Sequence, residues 1–343
     1  MTDFLLDFGN ARWKWFAPRI ASYADARHAL ALLSEAEWRR ACGNGKPPMG
    51  IVRVNGQPVA YGDAARKHTI KERPRGAARY TKEYYGIALA CALYETYDRN
   101  MANITLYATH APGDVDYAPN IKSSALGVWQ VDGRDGERVF QVKDVMTADE
   151  PIAGFSHFAL TTTGEERKKN PLRDLTTLVV DVGGHTTDVA AIDPGGQIDS
   201  LSLKSTRTGV LNMINDFETA LRSNNRAMFR DAGDLDIRRV ENAILEGVYR
   251  FGKVEIPCVA EARQVIQALV NDVIEVINAA GGAANFDAIL LTGGGAALIY
   301  DALVAAYPRI DFILAEPNRD LMKFANVFGL AKLAALMKLV GAW

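Results

Sequence analysis

Three short segments of this chain combine glycines with aspartate or lysine in patterns that suit phosphate chemistry. The first, at residues 7–14, reads Asp-Phe-Gly-Asn-Ala-Arg-Trp-Lys and follows a short apolar run. A turn of small residues exposes backbone N–H groups that can hold phosphate oxygens. Asp7 can hold a hydrated divalent cation, and Lys14 can reach a phosphate as a point charge. The candidate backbone contacts are Gly9, Asn10 and Ala11. The alternative is a plain hairpin in which Gly9 only supplies the turn.

The second segment, at residues 181–188, reads Asp-Val-Gly-Gly-His-Thr-Thr-Asp and follows a fully apolar run. A carboxylate at the end of a buried strand costs several kcal/mol unless it is paired, so Asp181 needs a partner such as a cation or water. The candidate ligand contacts here are Gly183, Gly184, His185 and Thr186. The alternative is an ordinary strand-turn-strand.

The third segment, at residues 290–298, reads Leu-Leu-Thr-Gly-Gly-Gly-Ala-Ala-Leu. Three glycines between a predicted strand and a predicted helix let a flat ligand or a ribose phosphate approach the backbone closely. These glycines are Gly293, Gly294 and Gly295. The segment is neither a Rossmann fingerprint nor a Walker A motif, since the later acidic residue of the one and the Gly-Lys-Ser/Thr of the other are missing.

The elements that must position these segments repeat once along the chain. A length of 343 residues suggests two domains or one duplicated domain. Strands are predicted at Phe4–Phe8 and Trp13–Phe16 in the first half, and at Leu175–Val180 and Val189–Ile192 in the second. Each half therefore opens with a strand, an Asp-x-Gly turn and another strand, which favours a duplicated α/β domain.

Other elements follow from periodicity and from turn residues. Asn55-Gly56, within residues 51–61, favours a two-residue hairpin turn. The polar segment 161–174 holds Gly and Pro and is predicted to be a linker at the domain boundary. Further strands are predicted at 104–108 and 288–291, and helices at 87–97, 209–222, 259–280, through Leu298 and Leu303, and at 320–338.

Composition excludes several classes of function. Hydrophobic residues make up 48% and charged residues 23%, as is usual for a globular protein. The net charge of −2 implies no bulk attraction to nucleic acid or to anionic lipid. The cysteines Cys42, Cys91 and Cys258 are odd in number and form no CxxC pair, which favours reduced thiols. Without a signal peptide or a long apolar run, we expect a cytoplasmic protein with no membrane contact.

In their order and spacing, the three segments resemble the actin, sugar-kinase and heat-shock chaperone ATPase superfamily. The chain is most similar to the bacterial ParM/StbA-like plasmid-segregation actins. Supporting likenesses are the hairpin Asn55–Gly62, the strand-end loop Thr109–Pro112 and the helix start Ala325–Gly329. The resemblance implies an actin-like α/β fold, in which two duplicated ribonuclease-H-like domains flank a nucleotide cleft. The implied domains are 1–165 and 166–343, with small subdomains at roughly 20–85 and 205–260.

The resemblance also implies a reaction, the hydrolysis of ATP or GTP with Mg²⁺. Asp7 and Asp181 would orient the water shell of the metal, and the two Asp-x-Gly loops would hold the phosphates from opposite sides. Glu150, which opens the segment Glu-Pro-Ile-Ala-Gly, would position the attacking water, with Asp149 as the fallback. The alternative for Glu150 is a solvated carboxylate at a helix start. Gly293–Gly295 would face the base and ribose, with Gly209 as a further ribose contact.

The implied role is that of a filament-forming protein that segregates DNA through a DNA-binding adaptor, with no direct contact to nucleic acid. Two alternatives stay open: a small-molecule kinase, and a division or pilus adaptor. A chaperone is not expected, because no substrate domain follows the last helix. The first segment departs from the relatives' usual Asp-x-Gly-x-Gly-Asn-x-Lys, since Ala11 and Arg12 replace the second glycine and the asparagine. We therefore expect a slightly different phosphate cradle there.

Overall fold

The computed structural model describes residues 2–9, 11–68, 74, 76–230, 233 and 235–342. They form two compact units. Unit 1 comprises Met1–Asn170 with Phe324–Trp343, and unit 2 comprises Pro171–Lys323. In each unit helices pack on a mixed β-sheet, which confirms the predicted α/β class.

The described strands, in chain order, are β1 (Thr2–Phe8), β2 (Arg12–Ala17), β3 (Ser22–Arg27), β4 (Leu30–Leu32), β5 (Ile51–Val54), β6 (Gln57–Tyr61), β7 (Met101–His110), β8 (Gly127–Gly133), β9 (Gly136–Asp149), β10 (Thr177–Val182), β11 (Thr187–Ile192), β12 (Ile198–Thr206), β13 (Val248–Phe251), β14 (Val254–Pro257), β15 (Ala288–Thr292) and β16 (Asp311–Leu314).

The described α-helices are α1 (Glu35–Cys42), α2 (Ile87–Thr96), α3 (Ala118–Ala125), α4 (Glu150–Ala159), α5 (Val210–Asn224), α6 (Arg226–Phe229), α7 (Ile237–Glu246), α8 (Val259–Ala279), α9 (Ala296–Ala306) and α10 (Ala325–Leu339). Within the described ranges, none of these helices combines the length and the apolar character needed to cross a membrane.

The sheet of unit 1 has the strand order β3-β2-β1-β7-β9-β8-β5-β6-β4. Strand β1 runs antiparallel to β2 and parallel to β7, and β9 runs parallel to β7. Residues Phe4–Phe8 are all buried, as expected for a strand that is covered on both faces. Helix α2 covers one face, and α4 and α10 cover the other.

The sheet of unit 2 has the order β12-β11-β10-β15-β16. With β10 in the place of β1, this order matches the order β3-β2-β1-β7-β9 in the sheet of unit 1. The directions repeat as well, since β10 is antiparallel to β11 and parallel to β15, and β15 is parallel to β16. The duplication predicted from the sequence is therefore confirmed by the topology.

The last helix, α10, belongs to unit 1, whereas the sequence-based division at 165/166 assigns it to the second domain. The physical reason is close packing of helix on helix. A Cβ on Gly329 would lie 1.7 Å from the Ala153 carbonyl oxygen, so α10 crosses α4 in direct backbone contact. Leu330 of α10 also shares a core with Leu5 of β1. An apolar helix pattern does not reveal which of two sheets the helix covers.

The polar segment 161–174 contains the division between the units, which falls after Asn170. It consists of turns, and Gly164 fixes it to α10. Gly164 has φ +84°, and a Cβ there would lie 2.2 Å from the backbone nitrogen of Leu336. The limits of the small subdomains, roughly 20–85 and 205–260, stay predictions.

Local turn chemistry explains where several elements begin. Asn55 and Gly56 have φ of +48° and +84°, as the two-residue hairpin turn requires. Strand β10 begins two residues later than the predicted Leu175, because Leu175 closes a turn by donating its N–H to the Leu172 carbonyl. Helix α10 begins at Ala325 rather than at 320, after a single 3₁₀ turn at Met322–Phe324.

Candidate phosphate-binding loops

The predicted first segment of unit 1 is built around a buried ion pair. Asp7 near the end of β1 faces Lys14 of β2 in the antiparallel register. The Lys14 Nζ donates to Asp7 Oδ2 at 2.7 Å. Asp7 is 1% exposed, and its other oxygen, Oδ1, has no hydrogen-bond partner among the described residues. One carboxylate oxygen is thus held by a cation while the other is available to a ligand.

Gly9 lets the backbone of the loop lie directly over this pair. A Cβ at Gly9 would lie 2.9 Å from the Arg12 carbonyl oxygen and 3.3 Å from Asp7 Oδ1, and 3.4 Å from Lys14 Nζ. The predicted contact Asn10 lies outside the described residues.

His28 holds the loop by hydrogen bonds to its backbone. The sequence did not indicate this residue. Its Nδ1 lies 2.7 Å from the Gly9 carbonyl oxygen, which can only accept, so Nδ1 carries the proton. Its backbone N–H donates to the Ala11 carbonyl at 3.0 Å. The ring stacks on Tyr84, with 5.6 Å between centroids, and contacts Phe8 at 4.7 Å. A lone histidine after a short strand gives no sequence signal for this role.

The two unusual residues of the loop are accommodated without strain. The described non-glycine residues with positive φ are Ala21, Asn55 and Asn103, so Ala11 does not need the left-handed conformation that glycine would offer. Arg12 forms an ion pair across the sheet with Asp25 of β3.

The carboxyl ends of β1, β7 and β9 lie at one edge of the unit 1 sheet. Thr109 pairs with Asp7, and His110 pairs with Asp149, at which β9 ends. Helix α4 begins at the next residue, Glu150, which is half-buried. In α/β sheets of this kind, ligands bind outside the carboxyl ends of the strands. The structure therefore brings Glu150 and Asp7 to the same edge of unit 1.

Asp149, at this edge, has a shifted pKa. Burial raises the pKa of Asp149 above its usual value, and the charge of His110 opposes the shift. The His110 Nδ1 lies 3.4 Å from Asp149 Oδ1. Asp149 is also the residue before α4, and its side chain makes no capping hydrogen bond.

The second segment, in unit 2, is organised by backbone packing. Asp181 near the end of β10 is 1% exposed and pairs with Asp188 of β11 and Thr292 of β15. Gly293 has φ +83°, and a Cβ there would lie 2.0 Å from Asp181 Oδ1. Only glycine can occupy this position, because the backbone itself covers the carboxylate.

The turn after β10 is tied to the start of α5. The N–H groups of Val210 and Leu211 donate to the carbonyls of Gly183 and Gly184 at 3.1 and 2.8 Å. A Cβ at Gly209 would lie 2.7 Å from the Gly184 carbonyl oxygen, which explains the glycine before α5.

The polar side chains of that turn lie close together. The Thr186 hydroxyl donates to Asp188 Oδ2 at 2.8 Å, and the Thr187 hydroxyl donates to the Thr208 carbonyl at 2.8 Å. His185 is half-buried on the same turn.

The glycines of the third segment, at residues 293–295, lie next to the turn that follows β10. The N–H of Gly295 donates to the Val182 carbonyl at 2.9 Å, and α9 begins at the next residue. A Cβ at Gly294 would lie 3.5 Å from that of Lys323. Three glycine-containing segments therefore converge beyond β10, where the starts of α5 and α9 also lie. Helix N-termini and glycine backbones suit a bound anion.

Comparison with known proteins agrees with this geometry. Residues 179–305 match a family model described as the C-terminal part of archaeal actin homologues that are MreB-like. This range contains the second and third segments. No curated protein matches the chain in sequence.

Solved structures match over nearly the whole chain. The archaeal actin homologue Ta0583 has a TM-score of 0.75 at 20% identity, covering 98% of this chain and 100% of its own. ParM of Bacillus thuringiensis with AMPPNP has a TM-score of 0.72 at 15% identity, covering 99% of both chains. A 15-stranded ParM filament from Clostridium botulinum has a TM-score of 0.71 at 15% identity, covering 96% of this chain and 98% of its own. The chain therefore has the actin-like fold that the sequence predicts.

Proposed function

We propose that the chain binds a nucleoside triphosphate, ATP or GTP, and hydrolyses its terminal phosphate. The observation that carries the proposal is the repeated strand order, with a buried aspartate at the same place in each repeat. Asp7 pairs with Thr109 of the adjacent parallel strand, as Asp181 pairs with Thr292. A glycine-containing turn follows each aspartate. Ta0583 has also been crystallised with ADP, which supports the same function.

The donor set fits Mg²⁺ bound through water. Magnesium prefers oxygen ligands and keeps several of its waters. Asp7 Oδ1 is buried without a hydrogen-bond partner among the described residues, and Asp181 is buried near the end of β10. Asp7 and Asp181 would hold the hydrated ion, whose charge offsets that of the phosphates.

The remaining candidate residues are assigned to different parts of the nucleotide and to the attacking water. Lys14 supplies a positive charge to the phosphates, Glu150 orients the attacking water, and Asp149 is the fallback for that role. The proposed backbone and hydroxyl contacts to phosphate are Gly9, Asn10, Ala11, Gly183, Gly184, His185 and Thr186. Those to the base and ribose are Gly209, Gly293, Gly294 and Gly295.

We further propose that the protein polymerises in the cytoplasm and positions DNA, for example a plasmid, through a DNA-binding adaptor. The fold it shares with ParM, including the filament from Clostridium botulinum, supports self-association. The net charge of −2 favours an adaptor over direct binding to DNA.

Light scattering tests this proposal. Purified protein is mixed with Mg²⁺ and ATP or GTP, and phosphate release is followed in the same sample. Scattering that rises with triphosphate and falls as phosphate is released supports a dynamic filament. Turnover by protein that stays monomeric at every concentration would instead favour a small-molecule kinase. Binding without turnover or scattering would favour a division or pilus adaptor.

The role of Glu150 is tested by Glu150→Ala. We expect phosphate release to slow while assembly is retained, because the water loses its orienting group but the phosphate contacts remain. Glu261→Ala is the matched control, since Glu261 also lies in the first turn of a helix. Unchanged hydrolysis in Glu150→Ala would show that another residue, Asp149 first, positions the water.

A further inference from the structure

Arg79 is a buried cation of unit 1 that the proposed machinery does not use. It lies on a short 3₁₀ turn at Gly76–Tyr80 and is 6% exposed. Burying a guanidinium is costly unless its donors are well paired. The contacts of Arg79 therefore decide whether the protein itself pairs this buried charge.

The neighbouring carboxylate, Asp114, does not use all of the hydrogen-bond donors of Arg79. The Arg79 Nη1 lies 3.6 Å from Asp114 Oδ2, longer than the ~2.7–2.9 Å of a charge-assisted hydrogen bond. That oxygen already accepts from the Tyr80 hydroxyl at 2.7 Å. A guanidinium has five N–H donors, and the Arg79 Nε has no hydrogen-bond partner among the described residues. Arg79 therefore has donor capacity left for a ligand.

The position of Arg79 relates it to the first phosphate loop. Its guanidinium carbon lies 5.3 Å from the centroid of the Phe8 ring, and Phe8 directly precedes Gly9. Asp114 lies on the turn that follows the carboxyl end of β7, next to the end of β1. The guanidinium thus lies between the base of the loop and the turn after β7.

The charges of Asp7 and Glu150 act on tyrosines on which the charge of Arg79 also acts. Burial raises the pKa of the Tyr85 hydroxyl, the charge of Arg79 lowers it, and the charge of Asp7 raises it further. Burial likewise raises the pKa of Tyr80, which Arg79 lowers and Asp114 and Glu150 raise. Arg79 therefore shifts the pKa of Tyr85 against Asp7 and the pKa of Tyr80 against Glu150, and both of these carboxylates have proposed roles at the site.

Three further polar atoms lie at the carboxyl ends of β1 and β7 or on the turn before α2. Asp7 Oδ1, Thr109 Oγ1 and Tyr85 Oη are all buried and, within the described ranges, make no hydrogen bond. Two of the three are hydroxyl donors, and the planar fork of arginine matches phosphate oxygens.

We propose that Arg79 is a second phosphate-binding cation of unit 1, which leaves Asp114 to bind the terminal phosphate of a nucleoside triphosphate. The inference rests on the proposed nucleotide binding and deepens it, because it makes Arg79 the residue that distinguishes a triphosphate from a diphosphate. Lys14 is held by Asp7 at 2.7 Å, whereas the ion pair that Arg79 makes with Asp114 is a long contact of 3.6 Å, which a phosphate can replace while the Phe8 and Tyr80 rings stay in place.

The test compares ADP with AMPPNP, or the guanine pair if the wild type prefers it, by titration calorimetry with Mg²⁺. In Arg79→Gln we expect the affinity for the triphosphate analogue to fall about 10- to 100-fold, the worth of a hydrogen bond to a charged group. The affinity for the diphosphate should change less than about threefold, since no charged contact is lost to it. Arg79→Lys keeps the charge without the fork and should fall between the two.

Arg138→Gln is the matched control. Arg138 is also a largely buried arginine of unit 1, where it donates to the carbonyls of Tyr94 and Tyr97 and covers the Tyr94 ring at 4.3 Å. Its loss should leave the ratio of the two affinities unchanged. Equal loss of both affinities in Arg79→Gln, with a lowered melting temperature, would overturn the inference by showing a structural role.

Asp114→Asn decides the matter if Arg79→Gln does not fold. An amide keeps the hydrogen bond from Tyr80 and removes the competing charge, so the preference for the triphosphate analogue should increase. An unchanged or reduced preference would contradict the inference. A wild type that binds neither nucleotide would overturn the proposed function as well, whereas an unaltered Arg79→Gln ratio in a binding protein would remove this inference alone.

Discussion

The two units place an aspartate at the same point of the same strand order, yet they surround it differently. In unit 1 charged and aromatic side chains hold the loop: Lys14 pairs with Asp7, and His28 supports Gly9. In unit 2 the backbone does this work, since Gly293 lies over Asp181. We therefore expect the loss of a charged side chain to be tested best at Lys14 in unit 1, and the addition of volume to be most costly at Gly293 in unit 2.

Gly293→Ala is expected to have the largest effect, because it adds volume where the backbone of unit 2 covers a carboxylate. The new Cβ would lie 2.0 Å from Asp181 Oδ1 in a backbone with φ +83°. Strain and displacement of the carboxylate should lower the free energy of unfolding by about 3 kcal/mol, measured by urea denaturation. Gly196→Ala is the matched control, since Gly196 has φ +82° with nothing within 4 Å. Equal losses in both variants would show that the close contact is unimportant.

Lys14→Met tests the charged side of the comparison. Removing the cation leaves the Asp7 carboxylate, which is 1% exposed, without its ion pair. We expect a loss of about 2–3 kcal/mol in the free energy of unfolding. The double variant Asp7→Asn, Lys14→Met should recover part of that loss, because the buried charge is gone. If the double variant is as unstable as the sum of the singles, the pair does not hold the loop.

His28→Phe should have a moderate effect. Phenylalanine keeps the ring contacts with Tyr84 and Phe8 but removes the hydrogen bond to the Gly9 carbonyl. The expected cost is about 1 kcal/mol in unfolding free energy, with faster amide hydrogen exchange around Gly9. Unaltered exchange there would mean that the loop keeps its conformation without His28.

Asp149→Asn should have the smallest effect, visible as a pH dependence. Burial raises the pKa of Asp149 in the folded protein above its ordinary value. Folding therefore favours the protonated form, and this group's contribution to stability is present at low pH and is lost as the pH rises through the raised pKa. Asparagine does not titrate, so the melting temperature of the variant relative to wild type should increase from pH 4 to pH 7. A constant difference would contradict the assignment.

Sequence reasoning went furthest where a residue's own chemistry dictates a conformation. Asn55-Gly56 specifies a hairpin turn, and a glycine beyond an aspartate at a strand end specifies a strand-turn-strand; both were predicted, and both are present. The placement of α10 in unit 1 depends on the fit of Gly329 against Ala153, which no periodicity contains. His28 and Arg79 were missed for the same reason, because their roles arise from neighbours that are distant in the sequence.

The central claim, that both aspartates serve one nucleotide-binding function, is tested most directly by calorimetric titration of Asp7→Asn and Asp181→Asn with nucleotide in the presence and absence of Mg²⁺. The account predicts that wild-type affinity depends on Mg²⁺ and that each variant weakens binding and reduces that dependence. Nucleotide binding that keeps its wild-type affinity and Mg²⁺ dependence in either folded variant would contradict the account.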